Sequence, residues 1–228
     1  MSMPLSAATV LPARTGVERA TLVRRTYGLV FLGVIVTMLG SAFAFLQPAV
    51  MLASAQHPII GFLVFFLLPL FLAQRWSREF PRNIGLTLLA TFGAGVWISP
   101  LLFVANRAQP GIVSQAAILT FTTFGALTLY AAVSRRDFSA WGGFFFVGVI
   151  VLFLTGLLNL YFQNETASLW LAGGTVFIFG GLLVFDTWRI MRTDQFGPDD
   201  YVLAAVSIYL DLLNIFLAIL RLLGGRRS

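Results

Sequence analysis

The chain has no cysteine, no lysine and a single histidine, His57, and only 11% of its residues are charged. Without cysteine there are no disulfides, no thiolate metal sites and no cysteine nucleophile. A soluble domain carries roughly 25% charged residues, so the low charge also excludes an ordinary soluble globular protein. What fills the chain instead is apolar: 58% of 228 residues are hydrophobic and the mean hydropathy is +0.89. The composition is that of an integral membrane protein. The net charge of +6 does not point to nucleic acid, because the arginines lie in short clusters between apolar runs, where they act as topology signals. All 15 basic residues are Arg, a composition that fits a GC-rich prokaryotic genome.

A bilayer core takes about 20 apolar residues per helix. The runs that qualify are Tyr27 to Val50, Pro58 to Leu72, Ile84 to Val104, Ile112 to Val133, Trp141 to Phe162, Leu169 to Trp188 and Tyr201 to Leu223. They predict an all-α integral membrane protein of seven transmembrane helices. Residues 1–26 are expected to form a flexible cytoplasmic tail, 27–224 one membrane domain and 225–228 a short basic ending. Ala42-Phe43-Ala44 mimics a signal-peptidase site, but the polar lead and the long apolar run suit a retained helix. Eleven arginines lie in the amino-terminal tail and alternate loops, and the opposite loops hold only Arg107. That asymmetry places the amino terminus in the cytoplasm. Seven crossings then put the carboxyl terminus outside, against the preference of Arg221, Arg226 and Arg227 for the inside.

Gly93 and Gly95, Gly142 and Gly143, and the heptad pairs Gly173/Gly180 and Gly174/Gly181 read as close helix packing. Two residues do not fit a scaffold. Asp186 and Asp211 lie within the last two apolar runs, where an ionisable group is costly and is read by default as functional. Stepping by three and four along the seventh run aligns Asp200, Ala204, Ser207, Asp211, Asn214, Ala218 and Arg221 on one helical face. That stripe suits a helix at the bundle centre facing a polar interior. The bland reading of the same stripe is an interhelical hydrogen-bond seam.

The turn between these runs is expected to set Pro198 in the first helical position, with Asp199 and Asp200 in the first turn, where the helix dipole favours acids. At about 1.5 Å per residue, Asp211 then lies about 18 Å in and Asp186 about 10 Å, an offset that tilt or an irregular turn must close if they touch. Two carboxylates in one dry site cannot both ionise cheaply, so a pair that meets titrates as a unit. Arg189, three residues after Asp186, offers a local ion pair instead.

Phe185-Asp186-Thr187 closing a glycine-rich run, Asp200-Tyr201, the segment Ala204 to Phe216 around Asp211, and Arg221 together resemble the Bax inhibitor family, and most closely its bacterial members. The resemblance implies six helices wrapped around a central carboxyl-terminal helix in a bacterial plasma (inner) membrane. It implies a pH-sensitive calcium leak gated by a paired aspartate, for which Asp186 and Asp211 match the family positions. It also implies an arginine latch at the cytoplasmic end of the second helix, which falls to Arg75 or Arg78. On this reading Ser207, Asn214, Asp200 and Arg221 line the pore, Asp211 and Asp186 contact the cation, and calcium is cargo with no resident cofactor. There are too few acids for a tight cage, and no loop has EF-hand spacing.

Three other readings stay in view. An intramembrane aspartyl protease resembles a Gly-x-Gly-Asp signature, whereas Ile208-Tyr209-Leu210 precedes Asp211. A proton-coupled transporter is chemically open, since a proton shared by carboxylates is also a relay. Some relatives in the resembling family restrain a membrane-anchored ATP-dependent protease, for which residues 1–26 would serve as the contact. The expectation is a non-enzymatic protein whose partners are the bilayer, calcium ions and, on this last reading, that protease.

Overall fold

A computed structural model describes residues 16–197 and 199–225. The helices are α1 (Gly16–Leu46), α2 (Pro48–Gln56), α3 (Pro58–Gly61), α4 (Leu68–Arg75), α5 (Arg82–Ala108), α6 (Ile112–Val133), α7 (Trp141–Phe162), α8 (Glu165–Arg192) and α9 (Tyr201–Gly224). A π-helical turn, Phe62–Leu67, joins α3 to α4, so that Pro58–Arg75 forms one span. Among the described residues there is no strand, and seven helices are long and apolar enough to cross a membrane. Helix is the expected answer for such runs, because hydrocarbon offers no partner to an unpaired backbone group.

The boundaries differ from the sequence reading at both polar ends. Residues 16–26, expected in the mobile tail, already belong to α1: Leu22 and Thr26 are fully buried and Arg19 pairs with Asp194 at 3.0 Å. The start of α1 carries polar residues beside buried Leu22 and Thr26, which an average of hydropathy cannot register. The first span closes at Leu46, and Pro48 opens the separate helix α2, since proline suits a first helical turn. At the other end, α9 begins at Tyr201 with Asp200 as its N-cap residue, so Asp199 and Asp200 precede the first turn. Pro198, Arg226 and Arg227 lie outside the described residues.

Glycine positions the second span against α5. Pro69 has no N–H to offer the Phe65 carbonyl one turn earlier, and the helix widens there into its π turn. Gly93 of α5 lies against that carbonyl, and a Cβ at Gly93 would collide with it. Gly95 meets the Thr37 carbonyl of α1 in the same way. In both cases the obstacle is backbone, which cannot rotate aside. Gly95→Ala is therefore expected to destabilise the bundle by about 1–3 kcal/mol, seen as an earlier unfolding midpoint in detergent, with Gly143→Ala as the neutral control. Gly143 and Gly173, read from sequence as packing residues, face open space instead.

α9 is the most buried of the seven spans, at 67% of its most apolar stretch against 11% for α7. It packs on α1, α4, α5, α6 and α8, whereas α7 packs chiefly on α8. Asp211, 4% exposed, lies within this buried stretch.

Candidate functional site

The site forms where α8 meets α9. Asp186 lies six residues before the end of α8, and Ser207 lies six residues after the start of α9, so the two stand level across the seam. The Ser207 hydroxyl hydrogen-bonds the Asp186 carboxylate. Asp211 sits one turn deeper, about 6 Å along the axis. It is still near enough for its carboxylate and that of Asp186 to act on each other electrostatically. The late start of α9 thus trims the expected offset of about 8 Å to about 6 Å, roughly one helical turn.

Both acids are buried, Asp186 at 7% exposure and Asp211 at 4%. Asp186 is matched by Arg189, whose Nη2 stands 3.2 Å from its Oδ1. The Arg189 guanidinium also lies 5.5 Å from the centre of the Phe185 ring and 4.7 Å from that of Phe196, and its field reaches Asp211. Two aromatic faces hold the cation where an ammonium would be harder to place. Asp211 Oδ2 is different: it is buried and, among the described residues, has no hydrogen-bond partner. Buried acceptors without a donor are uncommon in folded proteins.

The polar stripe of α9 runs along this seam. Ser207 bonds Asp186, Arg221 Nη2 donates to Ser168 Oγ of α8 at 2.8 Å, and Asn214 donates to its own helix at the Leu210 carbonyl. Asp200 accepts from Arg78 Nε and Nη2 at 2.9 and 3.2 Å and from the Gly197 amide at 2.8 Å. The stripe is thus engaged against α8 and the loops. A cavity of about 290 Å³ lies on the opposite side of α9, lined by Tyr209, Leu212, Leu213 and Phe216, and contains none of Ser207, Asp211 or Asn214.

Of the two arginines considered for a latch, Arg78 makes the bidentate pair and Arg75, at the end of α4, makes no ion pair among the described residues. The partner is Asp200, at the start of α9, and Asp186 takes Arg189 instead. Hydrogen bonding to Asp200 raises the Arg78 guanidinium still further above its ordinary value, so the arginine side of this clasp does not titrate.

Two tyrosines make buried contacts that the sequence did not signal, Tyr27 beside the seam and Tyr209 on the cavity side of α9. Tyr27 of α1 meets Thr187 at 2.9 Å, one residue from Asp186, and Tyr209 meets Thr37 at 2.7 Å, while Thr37 also donates to the Thr91 carbonyl. A tyrosine inside an apolar run names no partner. Only its need for one when buried could have drawn attention to it. Among the described residues no cluster of three histidine or carboxylate side chains is present.

Comparison with known proteins places these residues in a family context. Residues 19–228 match the family model described as inhibitor of apoptosis-promoting Bax1. The chain is 31% identical over 210 residues to mouse protein lifeguard 4, covering 90% of this chain and 85% of the relative. It is 30% identical over 210 residues to Bax inhibitor 1 of Schizosaccharomyces pombe, covering 90% and 77%. An uncharacterized protein of Campylobacter jejuni is 32% identical over 161 residues, covering 70% and 68%.

Proposed function

Because the chain belongs to the Bax inhibitor family, and because that family resemblance carries the expectation of a cation leak, we propose that it is a non-enzymatic, pH-sensitive calcium leak of a bacterial inner membrane. The observation that carries this reading is the α8–α9 seam: two buried carboxylates, one guanidinium and an unpartnered acceptor, within helices that have no other acid in their apolar stretches.

The chemistry follows from charge. With both acids ionised the group of Asp186, Asp211 and Arg189 carries one net negative charge; with one proton shared it is neutral. The neutral form belongs to a seam that stays shut, and the charged form favours separation of the two helices and entry of water. This is a two-state equilibrium biased by one protonation event. Opening exposes Ser207, Asp211 and Asn214 to the path, and Asp211 Oδ2 supplies a hard oxygen to calcium. Arg189 keeps that contact weak, which suits passage rather than storage. The Arg78–Asp200 clasp ties the start of α9 to the loop after α4 and limits how far α9 can swing.

The test is purified protein in liposomes loaded with a calcium indicator and scanned in pH, beside a form lacking residues 1–15. Flux that changes with pH and survives the deletion supports the leak. Absence of flux, together with deletion-sensitive capture of a membrane-anchored ATP-dependent protease, would replace it with the regulator reading.

A further inference from the structure

Away from the seam, the ends of α1, α5 and α9 enclose a cleft of about 490 Å³ on the arginine-rich side of the bundle. Its polar wall holds Arg25, Arg78 and Asp199, and its apolar wall holds Leu29, Leu32 and Ile84. Arg25, Arg78 and Asp199 border the apolar runs that begin at Tyr27, Ile84 and Tyr201, a placement that suits the level of lipid headgroups.

The charges there are not used up internally. Arg78 is committed to Asp200. Arg25 stacks its guanidinium 5.7 Å from the centre of the Tyr201 ring, and among the described residues neither Arg25 nor Asp199 makes an ion pair. Arg25 is exposed, and a guanidinium placed beside a ring in a cleft suits a phosphate. Asp199 on the same wall disfavours a purely anionic group and supplies the partner for an ammonium. Leu32 is 41% exposed and Phe80, at the rim, 75% exposed, which is costly in water and natural against acyl chains.

We propose that this cleft binds the headgroup of a zwitterionic aminophospholipid, its phosphodiester on Arg25, its primary amine on Asp199 and its chains along Leu32 and Phe80. The shared chemistry, a phosphodiester beside an amine, also exists in soluble glycerophosphoethanolamine. The apolar wall distinguishes the sources, since only the lipid can use it. This site is separate from the proposed gate and does not depend on it.

The experiment is native mass spectrometry of the full chain in detergent, with phosphatidylethanolamine, phosphatidylglycerol or phosphatidylcholine added at matched concentration, and with glycerophosphoethanolamine as the soluble arm. Phosphatidylethanolamine is expected to be retained in preference to the other two lipids, and Arg25→Gln to lower its retention about tenfold, the scale of one charge-assisted hydrogen bond. Asp199→Asn, an exposed change with little bearing on folding, is expected to remove the preference over phosphatidylglycerol while some lipid still binds. Equal retention of all three lipids by the wild type overturns the site, as does an Arg25→Gln protein that retains phosphatidylethanolamine unchanged. Binding of glycerophosphoethanolamine as tight as that of the lipid overturns the membrane source.

Discussion

Asp211→Asn is expected to give a protein whose calcium flux no longer changes with pH. The substitution keeps the shape of the side chain and removes its titration. What is left is Asp186 with Arg189 at 3.2 Å, a charge-balanced pair with no second acid to share a proton. Asp211 is 4% exposed, and among the described residues its Oδ2 has no hydrogen-bond donor. An equilibrium linked to a single proton shifts by at most about tenfold per pH unit, which sets the largest slope expected for the wild type. The asparagine protein should show a flat profile over the same range. A retained slope would move the sensor away from Asp211.

Arg189→Leu carries the largest expected effect on stability. It removes the cation from Asp186 and leaves a carboxylate buried on the α8–α9 seam with only the Ser207 hydroxyl for support. Breaking a buried pair from one side costs roughly 3–5 kcal/mol. Arg189 keeps 26% side-chain exposure, so the loss should fall near the low end of that range. The Phe185 and Phe196 rings lose their shared cation as well. Adding Asp186→Asn should recover most of the loss, because the uncompensated charge is then gone. Unfolding midpoints of the two singles and the double form the cycle that checks this, and a double protein no more stable than Arg189→Leu alone would show that the arginine acts through its ring contacts.

The seven spans were legible in the sequence because hydropathy over about 20 residues is a strong signal. The arginine clusters between them were legible for the same reason. Their ends were not. α1 extends back to Gly16 because Leu22 and Thr26 find buried neighbours, and no apolar average shows a helix that is half polar. The acids of the last two spans stood out by position, but the stripe on α9, expected to face a polar interior, makes the interhelical hydrogen-bond seam of the bland reading. That face meets α8, as the seam of Ser207 with Asp186 and of Arg221 with Ser168 shows. A pattern on one helix gives direction but does not name the neighbour. The relative depth of Asp186 and Asp211 depended on where α9 begins, next to the residue that Arg78 grips with two hydrogen bonds, Asp200. Arg189 was visible as a local partner three residues on. Its two flanking rings, one of them from the loop after α8, required the fold.

The measurement closest to the gating mechanism is the pH profile of calcium flux through Asp186→Asn, Asp211→Asn and the double variant in the same liposomes as the wild type. Two carboxylates that share one proton act as a unit, so each single variant should lose the pH response and the double should add nothing further. Singles that each keep part of the response, with the double removing their sum, would mean that the two acids titrate independently and that no shared proton holds the seam.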